Sequence, residues 1–219
     1  MKIAITGASG KTGYRISEEA VKKGYKVRQI IRKNSKVSEG LESLETIRVA
    51  LDKKEELDKA LKDIDALVIA TGARASIDLT GPAKVDALGV YRQLESCKRV
   101  GIKRVILVSS LCTGKLFHPL NLFGLILICK KIGENLLRNS DFEWTIIRPG
   151  GLKENEEIKS ENINYSKEDT QINGSIPRRL VAQCCIDSLK NKGSINKLIE
   201  ITSSNDNKKI SFKKAMQII

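Results

Sequence analysis

Histidine, proline and aromatic residues are scarce in this chain of 219 residues. His118 is the single histidine, which argues against a histidine-based metal site, and we expect no metal. With four prolines and 16 glycines, the chain is neither collagen-like nor proline-rich and disordered. One Trp, four Tyr and four Phe leave few rings to stack on nucleic-acid bases.

The chain also lacks a long apolar run and a paired cysteine motif. No stretch reaches the roughly 20 apolar residues of a membrane-spanning helix, and the mean hydropathy is −0.23. The five cysteines include no CxxC, and the adjacent Cys184 and Cys185 have poor geometry for a disulfide. Lys2 leads into a short apolar run and then glycines rather than into an export signal. We therefore expect reduced, buried, inert thiols and a cytoplasmic protein.

Basic residues outnumber acidic ones by 39 to 26, which gives a formal net charge of +13. A polyanionic partner is one explanation of this excess, and a lysine-rich surface is the other. Because the basic residues are spread along the whole sequence, we expect no nucleic-acid partner.

Short apolar segments alternate with helical patterns along most of the chain. The predicted strands are Lys2–Thr6, Tyr25–Ile31, Glu45–Leu51, Ala66–Ala70, Arg104–Ser109, Trp144–Arg148 and Lys197–Thr202. The predicted helices are Gly13–Lys23, Lys53–Leu61, Lys84–Val100, Asn121–Asn139 and Pro177–Lys190. Strands that are apolar on both faces indicate a doubly wound parallel α/β sheet in one domain, residues 1–219. Residues 151–176 are polar and weakly patterned, which predicts a flap over a site or a surface loop.

A glycine-rich segment joins the first strand to the first helix with the spacing GxxGxxG. Gly7 permits a tight turn, Gly10 lets the backbone approach a pyrophosphate, and Gly13 lets the helix pack closely on the sheet. The helix start supplies N–H donors to an anion. The alternatives are a purely structural glycine turn or a Walker A loop, whose glycine spacing is absent. The residues expected to bind a dinucleotide here are Gly7, Ser9, Gly10, Lys11, Thr12 and Gly13.

The end of the second strand favours NADP over NAD. Arg32 stands where a carboxylate would bind the ribose 2′-hydroxyl of NAD, and an arginine there pairs with the 2′-phosphate of NADP. Lys11 would add a second cation near that phosphate. Asp52 follows the third strand, where it either accepts a hydrogen bond from the adenine amino group or caps the next helix. The small residues Thr71, Gly72 and Ala73 would let the cofactor lie against the fourth strand.

Several motifs together resemble the atypical short-chain dehydrogenase/reductases. These motifs are Thr6–Gly13 with Arg32, Lys84-Val85-Asp86, Val105–Ser110, Lys130 and Thr145–Gly151. Residues 121–130, 145–153 and 168–182 are more closely similar to the cyanobacterial and plastid members. The resemblance covers nearly the whole chain and implies a Rossmann fold. The wider group includes a biliverdin and flavin reductase and domains that act in plastid protein import and photosystem assembly.

The resemblance also implies catalytic positions, with one departure. Lys130 matches the lysine that binds the nicotinamide ribose, although it could equally form a solvated pair with Lys131. Four residues earlier, where the family has its catalytic tyrosine, stands Ile126. Ser109 matches the active-site serine, with helix capping or strand-end packing as its structural alternative. Pro149 and Gly150 resemble the loop that passes the nicotinamide, and the adjacent Arg148 would place a cation beside the ring.

Two functions fit these residues. The first is an NADPH-dependent reductase of a flat conjugated small molecule such as a flavin, bilin or quinone, with hydride transfer aided by proximity and orientation. The second is a non-catalytic nucleotide-binding protein that senses redox state or assists assembly of photosynthetic complexes. The apolar stretch 116–129 is a pocket wall, a core helix or a protein-partner surface.

Overall fold

A computed structural model describes residues 1–37, 39–73, 79–115, 117–122, 124–154 and 162–219 of the chain. The strands of these residues are β1 (Lys2–Thr6), β2 (Lys26–Ile31), β3 (Glu45–Arg48), β4 (Ala66–Ile69), β5 (Arg104–Val108), β6 (Glu143–Pro149), β7 (Gly151–Lys153), β8 (Asn162–Ser166), β9 (Ser175–Pro177) and β10 (Lys197–Ser204). The α-helices are α1 (Lys11–Lys22), α2 (Lys54–Leu61), α3 (Leu88–Val100), α4 (Ile126–Arg138), α5 (Arg178–Lys190) and α6 (Phe212–Ile218). A π-helical turn, Ala83–Ala87, precedes α3.

The main sheet has the strand order β3-β2-β1-β4-β5-β6-β10-β8. Neighbouring strands are parallel from β3 to β10, and β8 pairs antiparallel with β10. The winding direction reverses between β1 and β4, which opens a crevice at the carboxyl ends of these two strands. The predicted doubly wound sheet of Rossmann type is confirmed.

Successive side chains of each strand point to opposite faces of the sheet, so a hydrophobic core lies on each face. Ile3 and Ile5 of β1 pack in the core beneath α1, α5 and α6, whereas Ala4 between them packs in the core beneath α2, α3 and α4. All three residues are fully buried. Helices on both faces explain why these strands are apolar throughout.

The predicted helix Asn121–Asn139 is wrong over its first turn. Residues Pro119–Leu122 form a 3₁₀ turn, and α4 begins at Ile126. Gly124 and Leu125 interrupt the helix with φ angles of +76° and +55°. A side chain at Gly124 would come within 2.2 Å of the Leu79 carbonyl oxygen, so this close approach of two backbone segments requires glycine.

The polar region 151–176 contains more regular structure than the sequence indicates. β7 and β9 pair as a small parallel sheet, and β8 forms the antiparallel edge of the main sheet. Residues 155–161 lie outside the described residues. One face of this edge strand meets solvent, so its sequence lacks the continuous apolar run that identified the central strands.

The five cysteines are free thiols, and four of them are buried. Burial raises the pKa of Cys97 and Cys184 to about 12, so both stay protonated at neutral pH. Cys112 departs from the expectation because it is only half-buried.

Candidate functional site

The glycine loop leads from β1 into α1 at the crevice. Gly7 has a φ of +72°, and a side chain there would come within 2.6 Å of the Ala70 carbonyl oxygen. A side chain at Gly13 would come within 2.2 Å of the Gly7 carbonyl oxygen. The fold itself therefore requires both glycines, because the loop packs against the end of β4 and α1 packs against the loop.

The fold places a weaker demand on Gly10. Its φ of −85° suits any residue, and an added Cβ would meet a described atom only at the Gly7 carbonyl oxygen, 3.2 Å away. Gly10 is the N-cap of α1, makes no side-chain capping bond, and precedes a first turn without an acidic residue. This arrangement leaves the positive end of the helix dipole for an anion that approaches across Gly10.

A cavity of about 570 Å³, here called the Arg32 cavity, lies between the glycine loop and the ends of β2 and β4. Its described lining includes the cations Arg32, Lys36, Lys84 and Arg92 and the carboxylate of Asp52. The excess of positive charge suits a phosphate-bearing ligand. The N-cap of α2 is Lys53, one residue later, so Asp52 lines the cavity rather than capping that helix.

A second cavity of about 520 Å³, here called the Lys130 cavity, adjoins the first. Both are lined by Gly10, Ala70, Thr71 and Gly72. The Lys130 cavity then extends along the ends of β5 and β6, past Ser109 and Pro149. The two cavities thus form one cleft along the carboxyl edge of the sheet, the position at which nucleotides bind in open α/β folds.

Lys130 is held in place by a buried carboxylate. Its Nζ lies 2.7 Å from Oδ1 of Asp86, and Oδ2 of Asp86 accepts a hydrogen bond of 3.0 Å from the backbone N–H of Ala73. Asp86 is buried in the π-helical turn. The alternative of a solvated Lys130–Lys131 pair is wrong, because this ion pair fixes the Lys130 ammonium beside the loop that follows β4.

Ser109 is part of a second buried network. Its hydroxyl donates a 2.6 Å hydrogen bond to Oε1 of Glu134, and Glu134 accepts two further bonds, of 2.9 and 2.8 Å, from the Arg148 guanidinium. All three residues are buried. The single Ser109 proton is therefore engaged with a carboxylate and is not directed at a substrate.

Arg148 does not lie beside the nicotinamide position as a free cation, so that expectation is wrong. Its side chain is fully buried and also bonds Glu168, Asp169 and Glu200. Burial opposes its charge, but the surrounding carboxylates, Glu134 first, raise the pKa of Arg148 well above its usual range. Arg148 thus connects α4, which carries Glu134, to the segment that follows β8.

Lys11 and Arg178 meet at the rim of the Lys130 cavity. Lys11 Nζ lies 3.1 Å from Oε1 of Glu154, and Arg178 donates a hydrogen bond to the same oxygen. Lys11 is absent from the described lining of the Arg32 cavity, so the structure does not bring it to the predicted position near Arg32.

The cleft brings together nearly all of the predicted site residues. The Arg32 cavity is lined by Gly7, Ser9, Gly10, Arg32, Asp52, Thr71 and Gly72, among others. The Lys130 cavity is lined by Gly10, Lys11, Thr12, Thr71, Gly72, Ala73, Ser109, Lys130, Pro149 and Gly150, among others. Gly13 lies buried below the loop. The roles of Asp86 and Glu134 were not predicted from the sequence, although the spacing of Glu134 from Lys130 places both on one face of α4.

The apolar stretch 116–129 divides between core and surface. Leu127 is buried in the core, whereas Phe117 is 97% exposed and Leu122 is 80% exposed. Residues 116 and 123 lie outside the described residues. Among the described residues, no helix combines the length and the apolar character needed to cross a membrane.

Comparison with curated proteins finds relatives that align with most of the chain. An uncharacterised chloroplastic protein of Arabidopsis thaliana is 34% identical, over 97% of this chain and 80% of its own length. The chloroplastic protein TIC 62 of Pisum sativum is 30% identical over 91% of this chain, which spans only 42% of TIC 62. Sanguinarine reductase of Eschscholzia californica is 26% identical over 93% of this chain and 89% of its own length.

Solved structures share the fold over its full extent. A Bacillus halodurans protein named for NAD-dependent epimerases and dehydratases has a TM-score of 0.84 and 26% identity, with all of both chains covered. A Veillonella parvula short-chain dehydrogenase/reductase in complex with NADP has a TM-score of 0.76 and 18% identity, over 96% of this chain and 99% of its own. A family model described as NAD(P)H-binding matches residues 7–192. The chain belongs to this NAD(P)H-binding family.

Proposed function

We propose that the protein is an NADPH-dependent reductase of a flat conjugated small molecule, such as a flavin, a bilin or a quinone. The observation that carries this proposal is the continuous cleft, in which a cationic cavity and a second cavity meet at Gly10. The first cavity suits the adenosine half of a dinucleotide, and the second suits the nicotinamide half together with an acceptor. Membership of the NAD(P)H-binding family and the similarity to sanguinarine reductase support the same function.

The choice of NADPH rests on the charge around Arg32. Arg32 and Lys36 line the cavity at the end of β2, where they would bind the 2′-phosphate. Arg32→Glu is expected to weaken NADPH binding strongly and NADH binding little, as measured by calorimetry. The matched control is Lys33→Glu, because Lys33 is not among the described residues lining the cavity and its side chain is 61% exposed. Equal losses for both cofactors in the Arg32 variant would contradict the assignment.

The residues of the Lys130 cavity suit an acceptor that needs no positioned acid. Ile126 replaces the expected tyrosine, and Ser109 already donates its proton to Glu134. When bound, NADPH supplies a hydride from C4 of its nicotinamide ring and becomes NADP⁺. Lys130, fixed by Asp86, would hold the nicotinamide ribose, and solvent would supply the proton that completes the two-electron reduction.

The test is NADPH oxidation by the purified protein with a panel of flavin, quinone and bilin acceptors. A rate that exceeds the protein-free rate and disappears in Gly10→Val supports the reductase. Tight NADPH binding without oxidation by any member of the panel contradicts it. That outcome favours the nucleotide-binding assembly protein, for which the exposed Phe117 and Leu122 would supply a protein-partner surface.

A further inference from the structure

A shared carboxylate bridges two cations at the rim of the Lys130 cavity. Lys11 begins α1 and Arg178 begins α5, and both bond the same oxygen of Glu154. A cation at a helix N-terminus is disfavoured by the helix dipole, and neither first turn contains an acidic residue to compensate. This arrangement therefore favours an anion between Lys11 and Arg178.

Glu154 neutralises these cations only in part. The described lining of the cavity includes three cations, Lys11, Lys130 and Arg178, and no carboxylate. Asp86 pairs with Lys130, and the single charge of Glu154 is shared between Lys11 and Arg178. One positive charge is left over among these residues.

Arg178 is also the more firmly placed member of the bridge. Its side chain is 18% exposed, whereas that of Glu154 is 56% exposed and that of Lys11 is 68% exposed. Glu154 is itself mostly exposed, and ion pairs of exposed groups are weak, so an incoming anion can displace Glu154 at little cost. In the described structure, Nε of Arg178 is buried without a hydrogen-bond partner, so the guanidinium keeps an unused donor.

We propose that Arg178 binds an acidic group of the acceptor, a phosphate or a carboxylate, and that Glu154 occupies this place until the acceptor arrives. The inference rests on the proposed reductase function and narrows its substrate to flat conjugated molecules that carry an anionic group. The same phosphate chemistry could come from the pyrophosphate of the cofactor, and the experiment separates the two sources.

The probes are FMN and riboflavin, which share one ring system and differ in a phosphate group. The kinetic constants of NADPH-dependent reduction are measured for the native protein, Arg178→Gln and Glu154→Gln. Arg179→Gln is the matched control, because Arg179 is the next residue of α5 and is absent from the described lining. Arg178→Gln is expected to raise KM for FMN about 10-fold or more and to leave riboflavin within about twofold. Glu154→Gln is expected to lower KM for FMN.

The same variants are titrated with NADPH by calorimetry. If Arg178→Gln weakens NADPH binding and leaves the FMN-to-riboflavin ratio at its native value, Arg178 serves the cofactor and the inference is wrong. Equal losses for the two flavins also overturn it.

A separate arm applies if the native protein reduces neither flavin, which would count against the proposed function. Flavin fluorescence then reports binding in the presence of NADP⁺. Binding of FMN over riboflavin that is lost in Arg178→Gln supports the anion site independently of turnover. Binding without a preference for FMN, or no binding of either flavin, refutes the anion site.

Discussion

Replacing Gly10 by alanine separates the needs of the ligand from those of the fold. The backbone of Gly10 accepts a side chain, and the added Cβ meets the Gly7 carbonyl oxygen at 3.2 Å. We therefore expect the free energy of unfolding to change by less than about 1 kcal/mol. The methyl group would stand where the pyrophosphate approaches the start of α1.

The expected loss of affinity is much larger than the loss of stability. Hydrogen bonds to a charged group contribute about 1.5–3 kcal/mol each, so losing two would cost about 3–6 kcal/mol. Since about 1.4 kcal/mol corresponds to a tenfold change in Kd, NADPH binding should weaken by roughly 100-fold or more.

Calorimetry with NADPH and urea denaturation measure these two effects on the same preparation. The comparison variant is Gly13→Ala, whose Cβ would come within 2.2 Å of the Gly7 carbonyl oxygen and should destabilise the fold itself. Native NADPH affinity in a folded Gly10→Ala protein would refute the role assigned to the glycine loop.

Three further predictions concern stability, pH and thiol reactivity. Arg148→Met should lower the free energy of unfolding in urea by about 3–5 kcal/mol, because Glu200 stays buried without its counter-charge and Glu134 keeps only Lys131, 3.8 Å away. A loss below about 1 kcal/mol would contradict this. Hydrogen bonds from Arg99 hold the pKa of Asp58 below its usual range, although burial opposes this shift. The ion pair therefore stabilises the fold above a pH of about 4, and this stabilisation is lost as the pH falls further. Asp58→Asn should thus cost about 0.2–1 kcal/mol at pH 7 and progressively less in acid, and a pH-independent cost would be inconsistent with that origin. A thiol reagent should modify only Cys112 rapidly in the native protein, and equally fast labelling of all five cysteines would show that the other four are accessible.

The sheet and the glycine loop could be predicted because their physical causes are local in sequence. β4 is a continuous apolar run, β1 contains the apolar run Ile3–Ile5, and the glycine loop follows β1 directly. Arg32 could be placed in the same way, since it is the residue that follows β2.

The ion network under the site could not be predicted, because its partners are distant in sequence. Glu134 and Arg148 are charged residues, which a sequence pattern assigns to the surface. Both are nevertheless fully buried, where they form an ion pair with each other. Their pairing depends on α4 packing against β6, which no local pattern encodes. The edge strand β8 was missed for a related reason, since its pairing with β10 and not its composition defines it.

Binding of NADPH in the cleft through the glycine loop and Arg32 underlies the proposed function. The most direct test is a calorimetric titration of the purified protein with NADPH and with NADH, side by side. We expect micromolar or tighter binding of NADPH and much weaker binding of NADH. Equal affinity for the two cofactors would contradict the role of Arg32, and binding of neither would contradict the whole assignment of the cleft.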